Sequence, residues 1–265
     1  MKHISAGKYL AIGAAIAAAL IFTPSVALAY KVYSPIVTPD ETAASFWGEA
    51  TSENTNGSTK QPESKRAQAA VKHTFFDRLE LGLWAVGESG ANGAAAGGEG
   101  AESMGYARTK VHTLYQITDK GAHFADAGIY LDYQKFKDSL PNDDYLNVVL
   151  LLEKDFGDYV LNLNPGIRKQ MTTGMEIQET ATYQAGFKYS LHELFNPGIE
   201  AYGILLGQWG NFIPMKGQQH NAGPAFYGEL KELFGHKVAY QGALLFGLTT
   251  GSRSLIASGI VEIKF

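Results

Sequence analysis

Residues 125–134 read ADAGIYLDYQ. Ala125, Ala127, Ile129, Leu131 and Tyr133 alternate with Asp126, Gly128, Tyr130, Asp132 and Gln134. Successive side chains of a strand point to opposite faces, so this stretch is a β-strand with one apolar and one polar side. The period does not say which side faces inward. A secreted sandwich or lipocalin-like barrel would turn its apolar face to a dry core. A membrane-spanning barrel would turn that face to lipid and keep the polar side chains in its lumen.

The start of the chain bears on the compartment. MKHISAGK carries Lys2 and Lys8 and no acid, YLAIGAAIAAALIF follows, and TPSVALA has small residues at Ala27 and Ala29. A basic start, a short apolar stretch and an A-x-A exit form a secretory signal peptide, with cleavage expected after Ala29. An uncleaved anchor would need a longer apolar run. Residues 1–29 are therefore expected to be a signal peptide and 30–40, with Pro35 and Pro39, an extended N-terminal arm. Residues 41–265 are expected to form one barrel domain.

Removing 29 of the 265 residues leaves 236, and loss of two lysines takes the net charge from −4 to −6. That mildly acidic balance, without a basic run, argues against a nucleic-acid partner. The chain has no cysteine, which excludes a disulfide framework and a lipid-anchored N-terminus. After the signal, VVLLL at 148–152 is the longest apolar run, too short for a membrane helix. A membrane barrel needs no such run, because it hides its lipid-facing residues at every second position.

About twelve alternating segments follow the arm, roughly at 41–53, 63–75, 79–88, 105–117, 125–135, 145–155, 159–170, 177–190, 199–208, 219–231, 237–248 and 255–265. Tight connections such as FDR (76–78) and FGD (156–158) alternate with longer ones, including TNGSTKQPE and the Gly/Ala-rich stretch 88–104. Short turns at one end and long loops at the other suit a single antiparallel up-and-down transmembrane barrel. An even strand count places both termini at the tight-turn end. Pro165 removes a ladder hydrogen bond from the seventh segment, and a local bulge is expected there. SFWGEA and YLNVVLLLEKD leave their face assignment open.

The polar faces carry charges of both signs. The acidic members are Glu80, Asp126, Asp132, Glu153, Asp155, Glu200, Glu229 and Glu262, and the basic ones include Arg66, Lys72, Arg108, Lys110, Arg168, Lys188, Lys231 and Lys264. Of these, Glu80, Arg108, Asp126, Asp132, Glu153, Asp155, Arg168, Lys188, Glu200, Glu229 and Glu262 are the candidate lumen-lining residues. Glu153 and Asp155 are expected to pair with Arg168 or Lys188. Aromatic residues near strand ends (Tyr133, Phe156, Tyr159, Tyr189, Trp209 and Phe265) suit the belts found where headgroups meet hydrocarbon.

The chain ends GIVEIKF, with Phe265, Ile263, Val261 and Gly259 on one face. This ending resembles that of Gram-negative outer-membrane β-barrel proteins, whose terminal aromatic is read by the barrel-insertion machinery. VYSPIVTPDE, LLLEKDFG, GPAFYGELK and ALLFGLT also resemble segments of an uncharacterised proteobacterial group of porin-like outer-membrane proteins described as transporters. The resemblance implies a barrel in the cell outer membrane, with the lipid bilayer and the insertion machinery as partners, and a channel or transporter for small polar solutes or ions. Two alternatives stand beside it: a closed-lumen barrel with a structural or adhesion role, and a lipid-modifying enzyme at the rim.

Signs of catalysis are sparse. His73, His112, His123, His192, His220 and His236 are scattered and form no HxxxH or HxxEH metal pattern. No GxSxG, P-loop or dinucleotide fingerprint occurs, so no cofactor or enzymatic activity is expected. His220, in GQQHNAGP, lies near the outer end of a strand but has no nearby serine in sequence. It reads best as a rim residue.

Overall fold

The computed structural model describes residues 31–52, 63–90, 104–137, 144–171, 179–205, 207–208, 211–212, 214–233 and 235–265. Its strands are β1 (Thr42–Thr51), β2 (Ser64–Phe75), β3 (Leu79–Gly90), β4 (Gly105–Gln116), β5 (Asp126–Phe136), β6 (Asp144–Phe156), β7 (Tyr159–Met171), β8 (Glu179–Tyr189) and β9 (Asn196–Leu205). A two-residue hairpin, β10 (Gly207–Gln208) with β11 (Asn211–Phe212), precedes β12 (Gln219–Leu233), β13 (His236–Gly247) and β14 (Leu255–Lys264). Leaving the hairpin aside, twelve strands form one closed antiparallel barrel in which each pairs with its neighbours in sequence. They match the twelve alternating segments to within a few residues at each end. A strand of about twelve residues, rising ~3.3 Å per residue and tilted by ~40°, climbs roughly 30 Å, the thickness of a bilayer core.

Closure is made by β1 and β14, from Ala43 opposite Lys264 to Thr51 opposite Ile256. The N–H of Phe265 donates to the carbonyl of Thr42 at 2.8 Å. Hydrocarbon offers no partner to an open strand edge, so this seam is what allows the sheet to stand in lipid.

The faces divide as a membrane barrel requires. In β5, Asp126, Gly128, Tyr130 and Asp132 are buried inside, while Leu131 and Tyr133 lie on the exposed outer surface. The ambiguous stretches resolve the same way. Ser45, Trp47 and Glu49 point inward and Phe46 outward, and Val149 and Leu151 point inward while Val148 and Leu150 lie outside. Phe46, Val71, Leu83, Val111, Leu163, Ile199, Phe226 and Leu244 continue the exposed apolar surface around the wall. Tyr133, Phe156, Tyr159 and Phe265 are exposed toward its ends; Trp209 lies outside the described residues.

The expected bulge at Pro165 is absent. Val149 pairs with Gly166 and Leu152 with Leu163, so the β6–β7 ladder lapses at Pro165 and resumes in unchanged register. Proline's missing N–H costs a bond without displacing the strand. A bulge occurs instead between β3 and β4, where Val86 pairs with Arg108 and Gly87 with Tyr106, leaving Ala107 extra, and the β12–β13 register also shifts between Leu230 and Leu233.

The arm enters the barrel at the tight-turn end and crosses the lumen. Val37 N–H donates to Gln116 Oε1 at 3.0 Å, and Asn164 Nδ2 donates to Tyr33 O at 3.0 Å. Tyr33 lies against Tyr130, with ring centroids 4.5 Å apart. Two wall glycines leave room for this passage. A Cβ on Gly128 would stand 2.9 Å from Pro35 Cβ, and one on Gly186 would stand 3.2 Å from Val32 Cγ1. A branched side chain at either position would collide with the arm.

The closed seam predicts that the unboiled protein migrates differently from the boiled one in SDS gels. Gly259→Pro, at the centre of β14 between Gly48 and Gly242, should abolish that folded band by removing a ladder donor from a paired strand.

Candidate functional site

At the tight-turn end the lumen is knitted by a charged cluster. Lys72 Nζ lies 3.0 Å from both Glu80 Oε2 and Glu262 Oε2, and Ser45 Oγ donates to Glu262 Oε2 at 3.0 Å. Lys264 Nζ reaches Glu41 at 3.1 Å, and Lys31 of the arm lies 3.8 Å from Glu262. Buried ions are tolerable only when paired and hydrogen-bonded, and the cluster meets that condition. On the turn between β8 and β9, outside the bilayer, donation by Lys231 holds the Glu193 carboxyl below its ordinary range.

A ring of aromatic side chains sits above the cluster. Trp84 Nε1 is 2.6 Å from His112 Nδ1 and can only donate, so Nδ1 accepts and Nε2 carries the proton directed at Glu80 Oε1, 3.0 Å away. His112 stacks on Tyr130 at 5.3 Å, Tyr130 meets Tyr33, and Trp47 closes the ring with Trp84 edge-on at 4.7 Å. Tyr33, supplied by the arm, is thus built into the wall's own packing.

Beyond the arm, toward the long connections, the lumen opens into a chamber of about 280 Å³. Lys31, Tyr33 and Trp47 contribute to it, and its walls include Arg66, Arg108, Lys110, Asp132, Asn147 and Arg168. Glu88 accepts from Arg66 Nε and, at 2.7 Å, from Arg108 Nη2. Asp132 Oδ1 accepts from Gln134 Nε2 and Asn147 Nδ2, each at 2.7 Å, and Arg168 Nε donates to Asn147 Oδ1 at 2.9 Å.

The remaining sequence candidates are dispersed along the barrel. Asp126 is buried at the tight-turn end, where Oδ1 accepts from Gly121 N–H at 2.6 Å. Glu153 accepts from Asn162 Nδ2 at 2.8 Å, while Asp155 lies at the exposed rim, 3.7 Å from Lys120. Neither joins Arg168 or Lys188. Glu153 stands opposite Asn162, and Arg168, opposite Asn147, is six residues further along the hairpin, roughly 20 Å away at ~3.4 Å per residue. Lys188 Nζ lies 5.6 Å from the Tyr227 ring centroid. Glu200 is fully buried and accepts from Tyr202 Oη at 2.5 Å, Gln241 Nε2 at 2.6 Å and Tyr227 Oη. Glu229 follows Tyr227 by two on the inward face of β12, half-buried near the tight turns. Sequence reasoning did not single out Glu88, His112 or Tyr33, whose partners lie on other strands.

His220 is buried at the long-connection end, with Nδ1 2.8 Å from Tyr183 Oη. Ser252 Oγ lies 2.7 Å from the His220 backbone N–H and also from its carbonyl, and so engages the main chain, not the ring. A serine nucleophile would need the ring nitrogen as its base. Among the described residues no three His, Cys, Asp or Glu side chains gather as a metal site.

No family model matches the chain, and no curated protein matches it. The structure does resemble solved barrels. An outer-membrane channel from Pseudomonas putida F1 aligns over 90% of this chain and 100% of its own, with a TM-score of 0.61 and 12% identity. An outer-membrane phospholipase from Salmonella typhi covers 85% and 90% of the two chains at TM-score 0.38 and 12% identity. OmpT, an outer-membrane protein of Vibrio cholerae, covers 86% and 100% at 0.36 and 10%. At these identities the likeness is one of fold, and the first of them carries it. With its lipid-facing belt and polar lumen, the chain is built as an outer-membrane β-barrel.

The charged cluster yields a test by substitution. Lys72→Met leaves Glu80 and Glu262 short of their shared cation and should destabilise the barrel by about 3 kcal/mol in urea unfolding from lipid. Val71→Thr, on the exposed outer face beside it, should change stability far less.

Proposed function

We propose that this protein is an outer-membrane channel for small polar solutes or ions, with the N-terminal arm as a constriction across its lumen. In this reading residues 1–29 are removed as a signal peptide, the arm, from Lys31 onward, lies within the barrel, and Phe265 serves the insertion machinery. The observation that supports transport is the chamber: a polar, charged cavity inside the closed wall, on the far side of the arm from the tight turns. A barrel serving only as a scaffold could fill that volume with side chains, as small barrels do.

Passage requires the arm to yield. Its hold includes the Tyr33 ring packing, Val32 and Val37 against apolar residues of the wall, Asn164 on Tyr33 O, Gln116 on Val37 N–H and the long ion pair of Lys31 with Glu262. Residues lining the route, among them Glu80, Arg108, Asp132, Arg168 and Glu262, would set ion preference through their charge and through pore width. The same contacts favour a second reading, a barrel closed by its own arm that serves envelope structure.

Planar-bilayer recording separates the two. The folded protein should give discrete current steps, and Tyr33→Ala, which loosens the arm, should raise conductance severalfold while the heat-modifiable gel band persists. Silence from both folded proteins would rule out the channel and leave the closed barrel.

A further inference from the structure

We propose that the chamber above the arm is a binding site for a small organic carboxylate, which deepens the channel reading by naming a class of solute. Five cationic side chains line it, Lys31, Arg66, Arg108, Lys110 and Arg168, against one lining carboxylate, Asp132. Asp132 Oδ1 is already engaged by the amides of Gln134 and Asn147. Some of the cations are answered from behind. Lys31 lies 3.8 Å from Glu262, Arg66 stands opposite the buried Glu49 in the β1–β2 register, and Arg66 and Arg108 share the Oε1 atom of Glu88.

Lys110 and Arg168 are not so answered. Among the described residues neither has a carboxylate at ion-pair distance. Lys110 Nζ sits 4.1 Å from the Trp84 ring centroid and 5.3 Å from that of Trp47, and Arg168 is held by Asn147 and lies 5.5 Å from the Tyr145 ring. Arg108, 7% exposed, leaves its Nε without an acceptor. Ring faces attract a cation more weakly than a carboxylate does, and a buried ammonium or guanidinium needs compensation by an anion. The guanidinium forks of Arg108 and Arg168 match the two oxygens of a carboxylate.

The rest of the lining favours a carbon skeleton over an inorganic anion. Trp47, Phe136, Tyr145 and Val149 offer apolar surface next to the cations. A phosphate ion, hydrated on every side, gains nothing there, whereas a short acyl chain is desolvated favourably. The volume of about 280 Å³ would hold roughly nine waters at ~30 Å³ each, enough for a short-chain acid.

The test is equilibrium binding to the folded protein in detergent, followed through tryptophan fluorescence because Trp47 and Trp84 both adjoin Lys110. Butyrate should saturate the signal and bind about tenfold or more tightly than butyramide, butylammonium or inorganic phosphate, the scale of one lost charge-assisted contact. Lys110→Gln and Arg168→Gln should each weaken butyrate by a similar factor with the folded gel band intact, and Arg168→Lys, which keeps the charge, should recover part of it. Equal binding of butyrate and butyramide, or no response to either glutamine variant, would overturn the proposal. Tighter phosphate than butyrate would overturn its organic part. Saturable butyrate binding by a protein that passes no current would leave this site standing while the channel reading fails.

Discussion

Lipid cannot accept or donate a hydrogen bond, and every other feature of this molecule follows from that. A strand edge left open in hydrocarbon strands backbone groups at several kcal/mol each. The sheet therefore closes through β1 and β14, with the last residue tied to the first strand. Once closed, it has an outer surface that must be apolar and an inner one that need not be. The usual assignment of greasy and wet faces is inverted, and charged groups gather inside.

A narrow tube full of charges is itself a constraint. Each ion is drawn out of bulk water and has to be answered within reach of its own side chain. The tight-turn half answers its ions densely, with Lys72 between two carboxylates and Lys264 on Glu41. Nearer the long connections the cations outnumber the acids that face the chamber. The arm marks the boundary between these regimes, and its Tyr33 is one member of a continuous aromatic ring. The lumen is thus divided along its axis into a knitted base, an aromatic waist and a cationic chamber.

Much of this was legible beforehand, for a specific reason. Period-two alternation is local, so strands such as Asp126–Phe136 and Tyr159–Met171 announce themselves from a dozen residues, and Phe265 lies on the face the pattern assigns it. Pairing is not local. The expected partners of Glu153 failed because antiparallel register carries Arg168 far up the hairpin, and the convergence of Arg66, Arg108 and Glu88 occurs beside a bulge at Ala107 that no composition signals. The arm has two prolines and no period, which identify it as extended but do not say where it goes.

By itself the sequence determined a wall of about twelve alternating strands and the end at which the first strand begins and the last one finishes, because those depend on alternation and on the lengths of connections, while its apolar outside was read from the signal peptide and the ending at Phe265. Only the tertiary structure decided that the arm returns into the lumen, that Trp84, His112 and Glu80 form one hydrogen-bonded chain, and that cations collect on one side of the waist. Those features arise where residues distant in sequence meet across a closed circle. The circle's register, not any single strand, fixes who faces whom.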